Sequence, residues 1–130
     1  LNHIHFLGPL LEEDKIALLE SCYAFVFPSH LRSEAFGISL LEGAMYGKPM
    51  MSSEIGTGTT HINIANETGL VVPPSDALAL RAALISLWED EQMASKMGKA
   101  AEKRFQALFT AEKMTRSYYG LYAELLQASR

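Results

Sequence analysis

Apolar and polar positions recur along this chain in an order that predicts its elements. Ile4 and Phe6 alternate with His3 and His5, a period of two that predicts a short strand ended by Gly8-Pro9. Leu10, Leu11, Ile16, Leu18 and Leu19 then fall at helical spacings among Glu12, Glu13, Asp14, Lys15 and Glu20, with the acids early, where the helix dipole favours them. Ala24-Phe25-Val26-Phe27 is an unbroken apolar run stopped by Pro28, the pattern of a central parallel strand covered on both faces. Ile38, Leu40, Leu41, Ala44 and Met45 form a helical stripe closed by Gly47 and Pro49.

Pro49-Met50-Met51-Ser52 predicts a third short strand. Gly56-Thr57-Gly58-Thr59-Thr60 is a glycine-rich turn before a short helix through Ile62 and Ile64, and Gly69-Leu70-Val71-Val72 is a fourth strand ended by Pro73-Pro74. From Ser75 onward the pattern is helical only. Ser75 or Asp76 caps a helix to about Trp88, and two more follow over 91–107, interrupted by Gly98, and 111–127, headed by Thr110. Strands alternating with helices, then a helical tail, predict a single α/β domain built on an open parallel sheet. Ligands of such sheets sit outside the carboxyl ends of the strands, which directs attention to the loops 28–37 and 53–60.

Composition narrows the picture. With 130 residues, 48% hydrophobic and 20% charged, the chain can bury one real core. Its net charge of −4 gives no global field for nucleic acid or an anionic membrane, so any phosphate site must be local. Cys22 is the single cysteine and fits a reducing compartment; there is no apolar run near 18 residues. The chain opens on Leu1 without a signal-peptide pattern, so it reads as a cytoplasmic piece of a longer protein. Asp14, Asp76 and Asp90 form no Asp-x-Asp, and the four histidines show no metal spacing, so no metal and no cofactor are expected.

The chemistry concentrates in Ser33-Glu34-Ala35-Phe36-Gly37-Ile38-Ser39-Leu40-Leu41-Glu42. Gly37 stands at the helix entrance, and amides from Gly37 to Leu40 would be first-turn donors able to hold an anion without a basic side chain. Fully helical, Glu34 and Glu42 would lie roughly 12 Å apart, suited to two ends of one ligand rather than to sharing a proton. Plainer readings compete. Ser39-x-x-Glu42 is also a capping box, Glu34 could be a solvated loop acid, and Arg32 a solvated loop charge. Gly56 and Gly58 look more like turn chemistry than a phosphate cradle, and His30 and His61 like satisfied or exposed histidines.

The frame Pro28-Ser29…Glu34-Ala35-Phe36-Gly37…Leu41-Glu42-Gly43-Ala44-Met45…Gly47-Lys48-Pro49 resembles glycosyltransferase family 4, of GT-B fold. The similarity extends through Phe6-Leu7-Gly8, Glu67-Thr68-Gly69-Leu70-Val71-Val72-Pro73-Pro74-Ser75-Asp76 and Phe109-Thr110…Tyr122. It implies the C-terminal, Rossmann-like donor-binding half of a retaining enzyme. In such relatives the residue matching Glu34 contacts the transferred sugar, that matching Glu42 accepts from ribose hydroxyls, and the stretch Ala35, Phe36, Gly37, Ile38, Ser39 approaches sugar and diphosphate. The base would pack near Leu7 and Gly8.

The implied substrate is a GDP- or UDP-sugar, of mannose type by preference, used in bacterial surface polysaccharide or lipopolysaccharide assembly. The glycan or lipid-linked acceptor would be bound by an N-terminal domain outside this chain, and the complete protein could sit at the inner membrane face. Two departures stand out. Glu54-Ile55-Gly56-Thr57-Gly58 replaces the family's usual Gly-Gly loop followed by Glu, and the basic residues that neutralise the diphosphate precede the first strand in relatives. The chain alone is therefore expected to have little transferase activity. Its rivals are a nucleotide-sugar epimerase of the same fold and a catalytically silent nucleotide-binding module.

Overall fold

The computed structural model describes residues 2–128. The elements run α1 (Glu12–Ser21), β1 (Phe25–Phe27), α2 (Ile38–Met45), β2 (Met50–Ser53), α3 (Thr59–Ile62), β3 (Gly69–Val72), α4 (Ala77–Glu89), α5 (Glu91–Leu108) and α6 (Ala111–Ala128). The three strands are parallel in the order β1-β2-β3, with Phe25 opposite Met50, Met50 opposite Gly69, and Ser52 between Phe27 and Val71. This is the α/β open parallel sheet with flanking helices and a helical tail that the pattern predicts.

β2 is the central strand, and all four of its residues are buried. Their period of two sends Met50 and Met51 into different cores. Met50 packs with Leu40, Ala44, Ile62 and Ala101, walled by Phe25, Phe27, Phe105 and Phe109. Met51 packs with Leu87, Ala94 and Met97 beside Ala24 and Leu70. α5 supplies residues to both cores, which ties the helical half of the chain to the sheet.

Three expectations change. Ile4–Phe6 forms no strand: Ile4 is 56% and Phe6 95% exposed, and without a covering surface two apolar residues do not hold a ladder. The run 24–27 is an edge strand rather than the central one, and Val26 faces outward. α1 forms as expected, with Leu19 its one buried residue and with Leu18, and Leu11 just before the helix, exposed. Gly98 does not interrupt α5; an added Cβ there would lie 2.1 Å from the Gly47 carbonyl oxygen, so glycine permits the close approach of helix and turn.

Asp76, not Ser75, caps α4, its carboxylate accepting from the Ala79 amide at 2.9 Å. Thr110 Oγ1 accepts from Lys113 N at the head of α6. Below the sheet, Asn63 Nδ2 donates to Ser52 Oγ and to the Leu70 carbonyl, while Thr68 Oγ1 donates to Asn63 Oδ1. These buried bonds fix the segment between α3 and β3 and leave no buried side-chain nitrogen or oxygen unpartnered among the described residues.

Candidate functional site

The loop after β1 turns into α2 at Gly37, whose φ of 90° and ψ of 58° are left-handed. A Cβ there would also press on Leu40 Cδ1 and Thr59 Cγ2 at 3.1 and 3.2 Å. Glycine is therefore required by backbone conformation and by space together. No side chain of Gly37 can cap the helix, and Glu34 does so from the loop. Its Oε1 accepts from Gly37 N at 2.9 Å and Phe36 N at 3.4 Å.

This arrangement alters the expected anion site. Gly37 N is held by Glu34, and Leu40 N donates to the Gly37 carbonyl at 2.9 Å. The amides of Ile38 and Ser39 are the first-turn donors left without an acceptor among the described residues. Glu34 lies outside the helix, so the fully helical spacing between the two carboxylates does not apply. Ser39 and Glu42, three apart, share one face of α2.

Glu42 is not part of a capping box, because Ser39 stands inside the helix and the N-cap is Gly37. Its Oε1 instead accepts from Lys15 Nζ of α1 at 2.7 Å, and Lys15 also meets Glu12 at 2.9 Å. Hydrogen bonds to Glu42 and then to Glu12 hold the Lys15 ammonium well above its ordinary value of 10.5. Lys15 had no functional signal in the sequence: its neighbour Glu12 reads as an ordinary helix pair, and the partner that matters is 27 positions away.

The glycine-rich turn after β2 packs against this loop. Gly58 N donates to the Ala35 carbonyl at 2.9 Å, and Gly56 N to Glu54 Oε1 at 3.0 Å. Both glycine amides are thus engaged within the loops themselves. A Cβ on Gly58 would collide with Phe36 at 2.8 Å, and one on Gly56 would meet Arg32 Nη1 at 3.2 Å. Arg32 lies exposed over that turn, without an ion pair among the described residues.

Phe36 meets Phe109 edge-on at 6.4 Å, and exposed His61 meets the same ring at 5.5 Å. Arg104 stands 5.7 Å from the Phe109 centroid and donates through Nε and Nη2 to the His61 carbonyl. The end of α5 thus braces both loops, a support that helical periodicity alone did not disclose. Leu7 and Gly8 lie in the exposed N-terminal arm, and no hydrogen bond joins them to α2 or its entry loop. A cavity of about 280 Å³ opens at the carboxyl ends of the strands beside Pro28, His30, Ser53, Val72 and Asp76; neither Glu34 nor Glu42 lines it. Among the described residues no group of three or more His, Cys, Asp or Glu could hold a metal, and no helix is long and apolar enough to cross a membrane.

Residues 1–104 match the model of the family described as glycosyl transferases group 1. D-rhamnosyltransferase WbpZ of Pseudomonas aeruginosa is 68% identical over 111 residues, covering 85% of this chain and 29% of that protein. O-antigen chain mannosyltransferase C of Escherichia coli is 47% identical over 128 residues, covering 98% of this chain and 34% of that protein. Among solved structures, sucrose-phosphate synthase from Thermosynechococcus elongatus superposes with a TM-score of 0.84 at 33% identity, over 98% of this chain and 31% of that one. The chain spans about a third of the length of each of these. Its motif block, its parallel sheet and its relatives agree: the chain belongs to the glycosyl transferases group 1 family, of GT-B fold.

Proposed function

We propose that this chain is the donor-binding part of a retaining glycosyltransferase that moves a hexosyl group from a nucleoside diphosphate to an acceptor hydroxyl in O-antigen assembly. The observation that carries the reading is the α2 entrance. Two carboxylates, Glu34 and Glu42, each have Oε1 fixed by a donor, and between them stand the acceptor-free amides of Ile38 and Ser39. Free first-turn amides at a helix dipole suit a diphosphate. Glu42 accepts from ribose hydroxyls, and Glu34 positions the transferred sugar. Arg32, exposed on the same rim and in no ion pair among the described residues, adds a cation toward the phosphates.

Two relatives, named for D-rhamnosyl and mannosyl transfer, support a sugar class. D-Rhamnose is D-mannose without its 6-hydroxyl, so both names describe one ring configuration. The donor sugar proposed here has the manno configuration, with discrimination confined to C6. The acceptor is held by the remainder of a two-domain enzyme, of which this chain is one part.

Titration of the chain with GDP, UDP and ADP, followed by amide shifts, tests the donor reading. Saturable shifts centred on Gly37–Glu42 that weaken in Glu42→Ala are expected; shifts confined to other surfaces refute the site. In the complete enzyme, Glu34→Ala should lower transfer from GDP-mannose or GDP-D-rhamnose by at least about 100-fold, the scale lost when one polar contact to the transition state is removed. Full activity in that variant removes Glu34 from the mechanism.

A further inference from the structure

Three ion pairs occur among the described residues, and two of them, Glu12 with Lys15 and Glu112 with Arg116, lie within a single helix. The third, Lys15 with Glu42, joins α1 to α2 at the carboxylate read above as the ribose acceptor. Both side chains keep about a third of their surface in water, 35% for Lys15 and 31% for Glu42, so the pair lies at a rim that a ligand can reach. Lys15 occupies Glu42 Oε1, whereas Oε2 accepts no hydrogen bond among the described residues.

A glutamate on a helix surface samples several rotamers, and a ligand that needs one of them bears the cost of ordering it. The ammonium removes that cost in advance by fixing one oxygen and aiming the other. It also offsets a second difficulty. A nucleoside diphosphate brings negative charge to a helix entrance that already holds Glu34 and Glu42, and a cation on Glu42 reduces the repulsion. Exposed ion pairs contribute little to stability, so the fold gives Lys15 no comparable task.

We infer that Lys15 is a positioning residue for nucleotide selectivity: by holding Glu42 Oε1 it presents Oε2 to the ribose hydroxyls, so that the site favours ribonucleotides over their 2′-deoxy counterparts. The inference rests on the reading of Glu42 as the ribose acceptor. It assigns selectivity to a residue on a different helix from the motif that touches the donor.

The test is calorimetry on the complete enzyme with GDP, UDP and ADP, each paired with its 2′-deoxy form, in the wild type and in Lys15→Met, Lys15→Arg and Glu42→Gln. The wild type should prefer the ribo form of its best nucleotide about tenfold, the scale of one charge-assisted hydrogen bond. Lys15→Met should bring that ratio close to one by weakening the ribo form alone, and Lys15→Arg should restore most of it. Donor KM should rise in Lys15→Met while kcat holds, as for binding lost equally from ground and transition states.

Equal weakening of both forms in Lys15→Met overturns the inference, since a merely structural residue does not distinguish them. So does a ratio that survives Lys15→Met but collapses in Glu42→Gln, which leaves Glu42 its role and removes that of Lys15. A ratio near one in the wild type, or one untouched in Glu42→Gln, refutes the ribose reading itself and the inference with it.

Discussion

At the scale of single residues, space decides which glycines are indispensable. A Cβ on Gly69 would sit 1.8 Å from the Met50 carbonyl oxygen, and one on Gly98 2.1 Å from that of Gly47. Both obstacles are backbone, which cannot turn aside, so Gly69→Ala and Gly98→Ala should each destabilise the chain by about 2 kcal/mol or more. Gly120, in the exposed helix α6, faces open space, and Gly120→Ala should instead raise helix stability by about 0.5–1 kcal/mol. Urea unfolding curves of the three variants check the order; a destabilised Gly120→Ala or an unaffected Gly98→Ala contradicts it. The same scale shows what a sequence discloses about a site. Glu34, Gly37 and Glu42 stood out as candidates because acids flank a helix-entry glycine and because the block that holds them resembles a known family. Lys15 did not, since a partner 27 residues away is defined only by how α1 and α2 meet.

Between elements, the Lys15 bridge makes a prediction with a definite sign. Glu42 and Glu12 are the charged groups that meet the ammonium, and both raise its pKa above 10.5. A group whose folded pKa is raised stabilises fully below its unfolded value and loses that contribution as pH climbs through the folded one. The difference in Tm between the wild type and Lys15→Met, small for so exposed a pair, should therefore stay level from about pH 6 to 9 and shrink only above about 10.5. A difference that fades near neutrality would mean that the bridge is not what the substitution removes. Asp76→Ala, which deletes the cap of α4, should cost about 1 kcal/mol, measurable by the same unfolding curves. Element existence was largely readable, because helical stripes and apolar runs survive any tertiary context. Element rank was not. The run 24–27 has the stronger strand signal yet lies at the edge, whereas Met50–Ser53, with two serines and no β-branched residue, is central because α2, α4 and α5 cover both of its faces. Ile4–Phe6 failed as a strand for the converse reason: its alternation is correct, but nothing buries it.

The molecule as a whole exposes more apolar surface than its two cores account for. Tyr118, Tyr119 and Tyr122 on α6 are 57%, 76% and 63% exposed, no residue of that helix is buried, and Trp88 on α4 is 75% exposed. Aromatic residues at helical spacing fit either a core or a docking face, and their exposure here excludes the core. Surface of this kind drives association when contiguous, opposed here only by the modest repulsion of a net charge of −4. The isolated chain is therefore expected to associate weakly and reversibly, its weight-average mass rising with concentration in sedimentation velocity. Tyr118→Glu with Tyr122→Glu, one turn apart on a single face, should lower that rise by replacing apolar contact with like charge. The response to salts separates the forces. Sodium chloride at moderate concentration screens the repulsion, while sulfate also strengthens apolar burial, so association should increase more in sulfate than in chloride at equal ionic strength. Equal responses would assign the association to charge, and a mass independent of concentration would mean that the exposed α6 face does not bind its own kind. In the second case the aromatic face remains open for the other part of the two-domain enzyme proposed above, and the Tyr118/Tyr122 pair should then lower the unfolding temperature of the complete enzyme while leaving that of this chain unchanged.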